Sequence, residues 1–205
     1  MQALHINGND LTLEDLREVV YAHRPVLLAA DARHAVERAR AVVEDQLAQE
    51  RVAYAVNTGV GKLATVRIPA EHIRELQVNL MRSHAAGVGE PLSELDTRAI
   101  MLLRANSLAK GFSGVRPVVI DTLCEMLNRG VHPLVPSQGS VGASGDLAPL
   151  AHLGLVAELR RRRRASPLGS LRLRRSLPGS GAPGAPGRRS RPRCPATGPR
   201  DARRD

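Results

Sequence analysis

A mainly α-helical fold is expected from three observations on this 205-residue sequence. Apolar residues recur at helical spacing through most of positions 1–159, helix-start and helix-stop residues bracket those runs, and one short stretch, 52–56, alternates at strand period. Thr12 caps a first helix reaching about Ala22, with Leu13, Leu16, Val19 and Val20 on one face. A second, 31–49, mixes Ala35, Val36, Val42, Val43 and Leu47 with charges. Pro69 opens a third that carries Ile73, Leu76, Leu80 and Met81. Ser93 followed by Asp96 is a start signal for a fourth, reaching about Lys110. Pro117 and Gly130 bracket a fifth, the asymmetry of helix starts and stops. Asp146, with Pro149 in the first turn, opens a sixth running to about Leu159.

The composition changes sharply after that helix. From Arg160 onward fifteen arginines face two acids, Asp201 and Asp205, among seven prolines and no aromatic residue, so residues 160–205 lack the means to build a core. The tail's surplus of thirteen positive charges outweighs residues 1–159, where fifteen basic side chains meet eighteen acidic ones, and so accounts for the net +10. Two domains of unlike kind are expected: 1–159, helical, and 160–205, a disordered basic tail. One account of the tail is a polybasic arm that binds a polyanion by neutralising phosphates. The other is translation of a GC-rich gene in a shifted frame, which yields arginine, proline, glycine and alanine. The absence of aromatics to stack bases weighs against nucleic acid and for the shifted frame.

The chemistry-bearing stretch is Gly139-Ser140-Val141-Gly142-Ala143-Ser144-Gly145-Asp146-Leu147-Ala148-Pro149-Leu150. Attack of the Gly145 nitrogen on the Ala143 carbonyl, with loss of two waters, one carrying the Ser144 hydroxyl, leaves a five-membered imidazolone with an exocyclic methylidene. Gly145 has no Cβ to hinder that approach, Ala143 leaves the attacked carbon uncrowded, and Ser144 supplies the leaving hydroxyl. The helix start that follows favours negative charge developing on such a ring. Taken alone, Ala-Ser-Gly in a glycine-rich turn before a helix equally describes a simple cap or an anion site.

The company of that tripeptide decides between these. Residues 136–152, from Pro136-Ser137-Gln138 through Ala143-Ser144-Gly145 to Ala151-His152, closely resemble the prosthetic-group loop of the aromatic amino-acid ammonia-lyases, the histidine-using members in particular. Tyr54-Ala55-Val56-Asn57-Thr58-Gly59-Val60-Gly61 resembles the family's tyrosine loop, and Asn79-Leu80-Met81-Arg82-Ser83-His84-Ala85-Ala86-Gly87-Val88-Gly89 its substrate-selectivity segment. Residues 103–114 are similar to a structural run between them. The resemblance covers residues 4–156 and its motifs occur in the family's order. Ala55 and Val60 depart from it, standing where glycine and phenylalanine are common.

The resemblance implies a methylidene-imidazolone formed autocatalytically from Ala143, Ser144 and Gly145, with no metal, and a reaction that eliminates ammonia from an α-amino acid. It implies Tyr54 as the base; from the residues alone Tyr54 also fits a strand residue with a buried ring. It implies His84 as the substrate-selecting side chain, since an imidazole hydrogen-bonds another imidazole and disfavours an apolar ring; outside the family a histidine at a helix end reads as a cap or surface group. L-histidine converted to trans-urocanate is the expected reaction. Tyrosine deamination, or isomerisation by an aminomutase with the same electrophile, is the alternative that Ser83-His84 also fits, and a non-catalytic fragment with a polyanion-binding tail is a third. The remaining histidines, His5, His23, His34, His72, His132 and His152, show no metal-ligand spacing and are expected to have no catalytic role. The family implies a homotetramer whose active site also draws on later parts of the chain, so the present sequence is expected to be a truncated, inactive form. Two cysteines, Cys124 and Cys194, without CxxC spacing, polar Asn7, Asn9 and Asp10 near the start, and no membrane-length apolar run point to the cytoplasm and to no membrane partner.

Overall fold

Leu4 and Ile6 on β1 (Leu4–Ile6) and Val26 and Leu28 on β2 (Val26–Leu28) are buried, whereas His5 and Leu27 between them are exposed, the period of a half-buried strand. This is a computed structural model, and it describes residues 1–143 and 145–164. The two strands pair in parallel, Leu4 with Val26 and Ile6 with Leu28. A parallel pair needs a crossover, and α1 (Leu13–Tyr21) supplies it. Thr12 and Asp15 close a capping box at its start: Thr12 Oγ1 accepts the Asp15 amide and the Asp15 carboxylate accepts the Thr12 amide, both at 3.1 Å. The Asn128 side chain completes β2 by donating to the Val26 carbonyl at 2.9 Å and accepting the Val26 amide at 2.8 Å.

The core lies where α1, β1 and β2 meet α2 (Ala30–Ala48), α4 (Glu94–Ala109) and α5 (Pro117–Asn128). Val19, Val36, Met101, Leu102, Ile120, Leu123 and Met126 are all enclosed there. Ser93 caps α4 by accepting the Asp96 amide, and Pro117 sits in the first turn of α5, as their sequence signals require. Arg33 of α2 forks onto the Asp121 carboxylate of α5 at 2.6 and 3.1 Å. Cys124 is buried in this core, and burial pushes its thiol up to about 12, so it packs as an apolar group.

Arg98 is the unusual member of the core, 1% exposed. Its guanidinium donates to the carbonyls of Val19 and Val20 at the end of α1 and of Leu127 at the end of α5, and Nη1 also donates to Nε2 of His132 at 3.0 Å. Two helix C-termini thus point carbonyls at one cation. The His132 ring in turn faces Glu94 through Nδ1 at 3.4 Å.

A second layer consists of α3 (Ile73–His84), β3 (Val88–Pro91), β4 (Pro136–Gln138) and α6 (Leu147–Arg164). β3 and β4 pair antiparallel, Val88 with Gln138 and Pro91 with Pro136. α3 packs on α6, where Gly154 permits the approach: a Cβ there would lie 3.0 Å from Met81 Sδ.

Two expectations are corrected here. Residues 52–56 form a turn rather than a strand, because Asn57 folds the chain back on itself: its Oδ1 accepts the Ala53 amide and its Nδ2 donates to the Arg51 carbonyl, each at 2.8 Å. The four strands lie elsewhere and are three or four residues long, too short for alternation to register. The sixth helix also continues past Leu159 to Arg164, since arginine propagates a helix well and complements the negative end of its dipole. The expected disorder and polyanion binding of the tail concern, from 165 onward, positions outside the described residues, and so does Ser144. Among the described residues no helix is long and apolar enough to cross a membrane, and no cluster of three or more His, Cys, Asp or Glu could hold a metal.

Candidate active site

The tyrosine turn is built from the inside out. Asn57 and Thr58 are buried beneath it, and Thr58 Oγ1 accepts the Ala55 amide at 3.1 Å while donating to the Gly59 carbonyl at 2.9 Å. The Asn57 and Gly59 ends are tied to the following segment through Ile68 N–H to Asn57 O and Gly59 N–H to Val66 O. With the polar residues turned inward, Tyr54 faces out, 63% exposed, which rules out the buried strand ring. Its hydroxyl oxygen accepts the Gly61 amide at 3.4 Å. Ala55 stands in the left-handed region at φ 58°, a conformation glycine adopts without cost. Gln77 of α3 donates to the Ala55 carbonyl at 2.8 Å and anchors the turn to the helix that ends in His84.

His84 is the last residue of α3 and half-buried. Its Nδ1 lies 2.7 Å from the Leu80 carbonyl, which only accepts, so Nδ1 carries the proton and donates. Ser83 Oγ donates to the same carbonyl at 3.0 Å. The capping role is therefore real, and it fixes the tautomer: Nε2 is left with its lone pair, with no partner among the described residues.

After His84 the chain turns through Ala85 and Ala86 and enters β3, whose partner β4 leads directly into the glycine-rich loop. At that junction Gly87 and Gly139 touch: a Cβ on Gly139 would sit 3.1 Å from Gly87 Cα and 3.1 Å from Ala148 Cβ. Gly87 also donates its amide to Nε2 of His152, on α6, at 3.2 Å. Beyond Gly139, Gly142 and Gly145 have φ of 80° and 71°, backbone that L-residues resist. A Cβ at Gly145 would lie 3.2 Å from Ser140 Oγ. Ala143 is exposed, and the Leu150 amide bonds to the Asp146 carbonyl as the first turn of α6 forms. On either side of Ser144, then, stand an exposed Ala143 and a Gly145 whose φ L-residues resist.

The structure therefore joins the His84 segment to the Ala143–Gly145 loop by a strand pair and a glycine contact, and joins Tyr54 to α3 through Gln77. Sequence reasoning missed Gln77, Asn57, Thr58 and His152; Asn-Thr-Gly after an alternating run was the available sign of a side-chain-closed turn. An open groove of about 1370 Å³ runs along α3 and α6 with Ile73, Met81, Leu150 and Leu153 on its walls. Ala55, Val56, Asn57 and Gln77 also line it, with charged Arg74, Arg104 and Glu158, whereas His84, Ala143 and Gly145 do not.

This fold and these loops are those of the aromatic amino acid lyase family. The family's model matches residues 11–164, and the chain belongs to that family. It is 74% identical over 156 residues to the histidine ammonia-lyase of Koribacter versatilis, a match that covers 76% of this chain and 30% of that protein. Among solved structures it is similar to the histidine ammonia-lyase of Trypanosoma cruzi, at 35% identity and a TM-score of 0.67 over 75% of this chain and 29% of that one. It is also similar to the tyrosine aminomutase of Streptomyces globisporus, at 32% identity and a TM-score of 0.71 over 84% of this chain and 35% of that one. The chain spans about a third of the length of such relatives.

Proposed function

We propose that residues 1–159 belong to the N-terminal unit of a lyase that eliminates ammonia from L-histidine to give trans-urocanate. The observation that carries this reading is the 2.7 Å contact between His84 Nδ1 and the Leu80 carbonyl. With Nδ1–H held by the Leu80 carbonyl, Nε2 accepts the N–H of a substrate imidazole, an interaction a purely apolar ring does not offer. Tyr54 takes the β-proton; its oxygen, already an acceptor toward Gly61, is positioned by a turn tied to the helix that carries His84. The α-amino group leaves as ammonia and the double bond forms between the α and β carbons. A methylidene-imidazolone closed from Ala143, Ser144 and Gly145 supplies the electrophilic carbon that makes the nitrogen a better leaving group. The turn conformations at Gly142 and Gly145 support that closure.

Tyrosine is the second substrate reading, because Nε2 of His84 accepts a phenol O–H as readily as an imidazole N–H, and a tyrosine aminomutase is among the similar structures. In the whole protein we place the reaction in the cytoplasm, in histidine breakdown, and in a homotetramer. The apolar groove along α3 and α6 supports packing against further protein. The test is a substrate panel, with the ultraviolet absorbance of urocanate as readout. Urocanate from L-histidine, with no product from L-tyrosine, supports the first reading, and the reverse supports the second.

A further inference from the structure

We propose that His152 is a positioning residue: through Nε2 it pins the segment that carries the substrate-selecting His84 onto the helix that follows the electrophile-forming turn, and so sets the spacing of the two. The proposal rests on the reaction proposed above for its catalytic consequence, though not for the contact itself. Gly87, three residues beyond His84, donates its amide to His152 Nε2 at 3.2 Å across 65 positions of sequence. His152 lies on α6, seven residues past Gly145. A backbone amide only donates, so Nε2 accepts and the imidazole proton sits on Nδ1.

The surroundings are built for a close clamp. A Cβ at Gly87 would stand 3.2 Å from His152 Nε2 and 3.2 Å from Pro136 Cβ, and Gly139 presses on Gly87 from another side. Gly87 is therefore held between β4, the loop leading to Ala143, and α6, and the hydrogen bond is the directional element of that contact. β3 begins at the next residue, so an amide left unpaired at Gly87 would loosen the start of the strand pair that joins the two loops. His84 and the turn at Gly145 are also related by the β3–β4 pair, by the Gly87–Gly139 contact and by the packing of α3 on α6, and the His152 bond adds a side-chain hydrogen bond to these.

The experiment uses the full chain labelled with nitrogen-15, as wild type, His152→Leu and His152→Gln. In the wild type, Nε2 of His152 is expected to show the nitrogen shift of an unprotonated acceptor; the shift of a protonated nitrogen would overturn the proposal without any variant. Loss of one hydrogen bond predicts Gly87 amide exchange about five- to tenfold faster in His152→Leu, with Met101 and Leu102 amides in α4 unchanged and the Gln variant, whose amide oxygen accepts, close to wild type. With L-histidine as substrate, His152→Leu is expected to raise KM by a larger factor than it lowers kcat, with Gln restoring KM. Equal Gly87 exchange in all three proteins, acceleration shared with Met101, or no rescue by Gln would refute the pin. Protection of Gly87 that depends on His152 supports the pin whether or not the chain releases ammonia from L-histidine, so failure of the reaction and failure of the pin are read separately.

Discussion

Gly139 lies against Gly87 with no room for a methyl group between them: a Cβ on Gly139 would be 3.1 Å from Gly87 Cα. This backbone-to-backbone contact holds the segment that follows His84 against the loop that leads to Ala143. Gly139→Ala forces the two apart, because the obstructing atom is main chain and the other neighbour, Ala148 Cβ, is also 3.1 Å away on a helix. We expect a loss of about 1–3 kcal/mol in urea unfolding, the usual cost of overpacking, and faster exchange of the Val88 amide. An unchanged midpoint would show that the loops have slack.

Ala55 gives the opposite sign. Its φ of 58° costs an L-residue roughly 1–2 kcal/mol, while glycine concedes part of that gain through its freer unfolded chain, so Ala55→Gly should stabilise by about 0.5–1 kcal/mol. Chemical unfolding checks it; a destabilised variant would mean that the methyl packs better than its exposure suggests.

His132 makes stability depend on pH. Burial is the main cause that lowers its affinity for a proton below the ordinary 6.5; Arg98 and His23 lower it further, and Glu94 opposes them. The folded state thus binds the proton less readily than the unfolded chain does. The contribution is complete above about pH 6.5 and falls away as the pH drops below that, levelling once folded His132 is itself protonated. Protonation also removes the acceptor for Arg98 Nη1. His132→Gln keeps an acceptor but does not titrate, so its unfolding free energy should vary less than that of the wild type between pH 6.5 and 5. Parallel pH curves for the two proteins would contradict this.

His84 should govern substrate choice. Replacing it by phenylalanine removes the Nε2 acceptor, and kcat/KM for L-histidine is expected to fall by about 10²-fold or more, with most of the loss in KM. Steady-state urocanate formation measures it, and a change confined to kcat would point to a role in the chemistry rather than in recognition.

The helices were legible because each carries its own signals: Thr12 with Asp15, Ser93 with Asp96 and Pro117 act within one turn of the chain they start. The strands were not, since β1 exists by pairing with β2 across α1, and three residues hold too little pattern to show it. The site divides the same way. Tyr54, His84 and the Ala143–Gly145 turn stand out in the sequence because local motifs mark them. Gln77 and His152 act on Ala55 and Gly87, 22 and 65 positions away, and nothing in their immediate neighbours encodes that. Tyr54 misled by its flanks: Val52 and Val56 alternate like a strand, but Asn57 spends its side chain on Ala53 and Arg51 and closes a turn instead.

The central claim is that Ala143, Ser144 and Gly145 close into an electrophilic ring, and peptide mass spectrometry of residues 136–158 tests it most directly. The account predicts a mass lower by two waters in the wild type and the unreduced mass in Gly145→Ala, where a Cβ meets both a φ of 71° and Ser140 Oγ at 3.2 Å. An intact Ser144 peptide from a protein that still releases ammonia from L-histidine would contradict it.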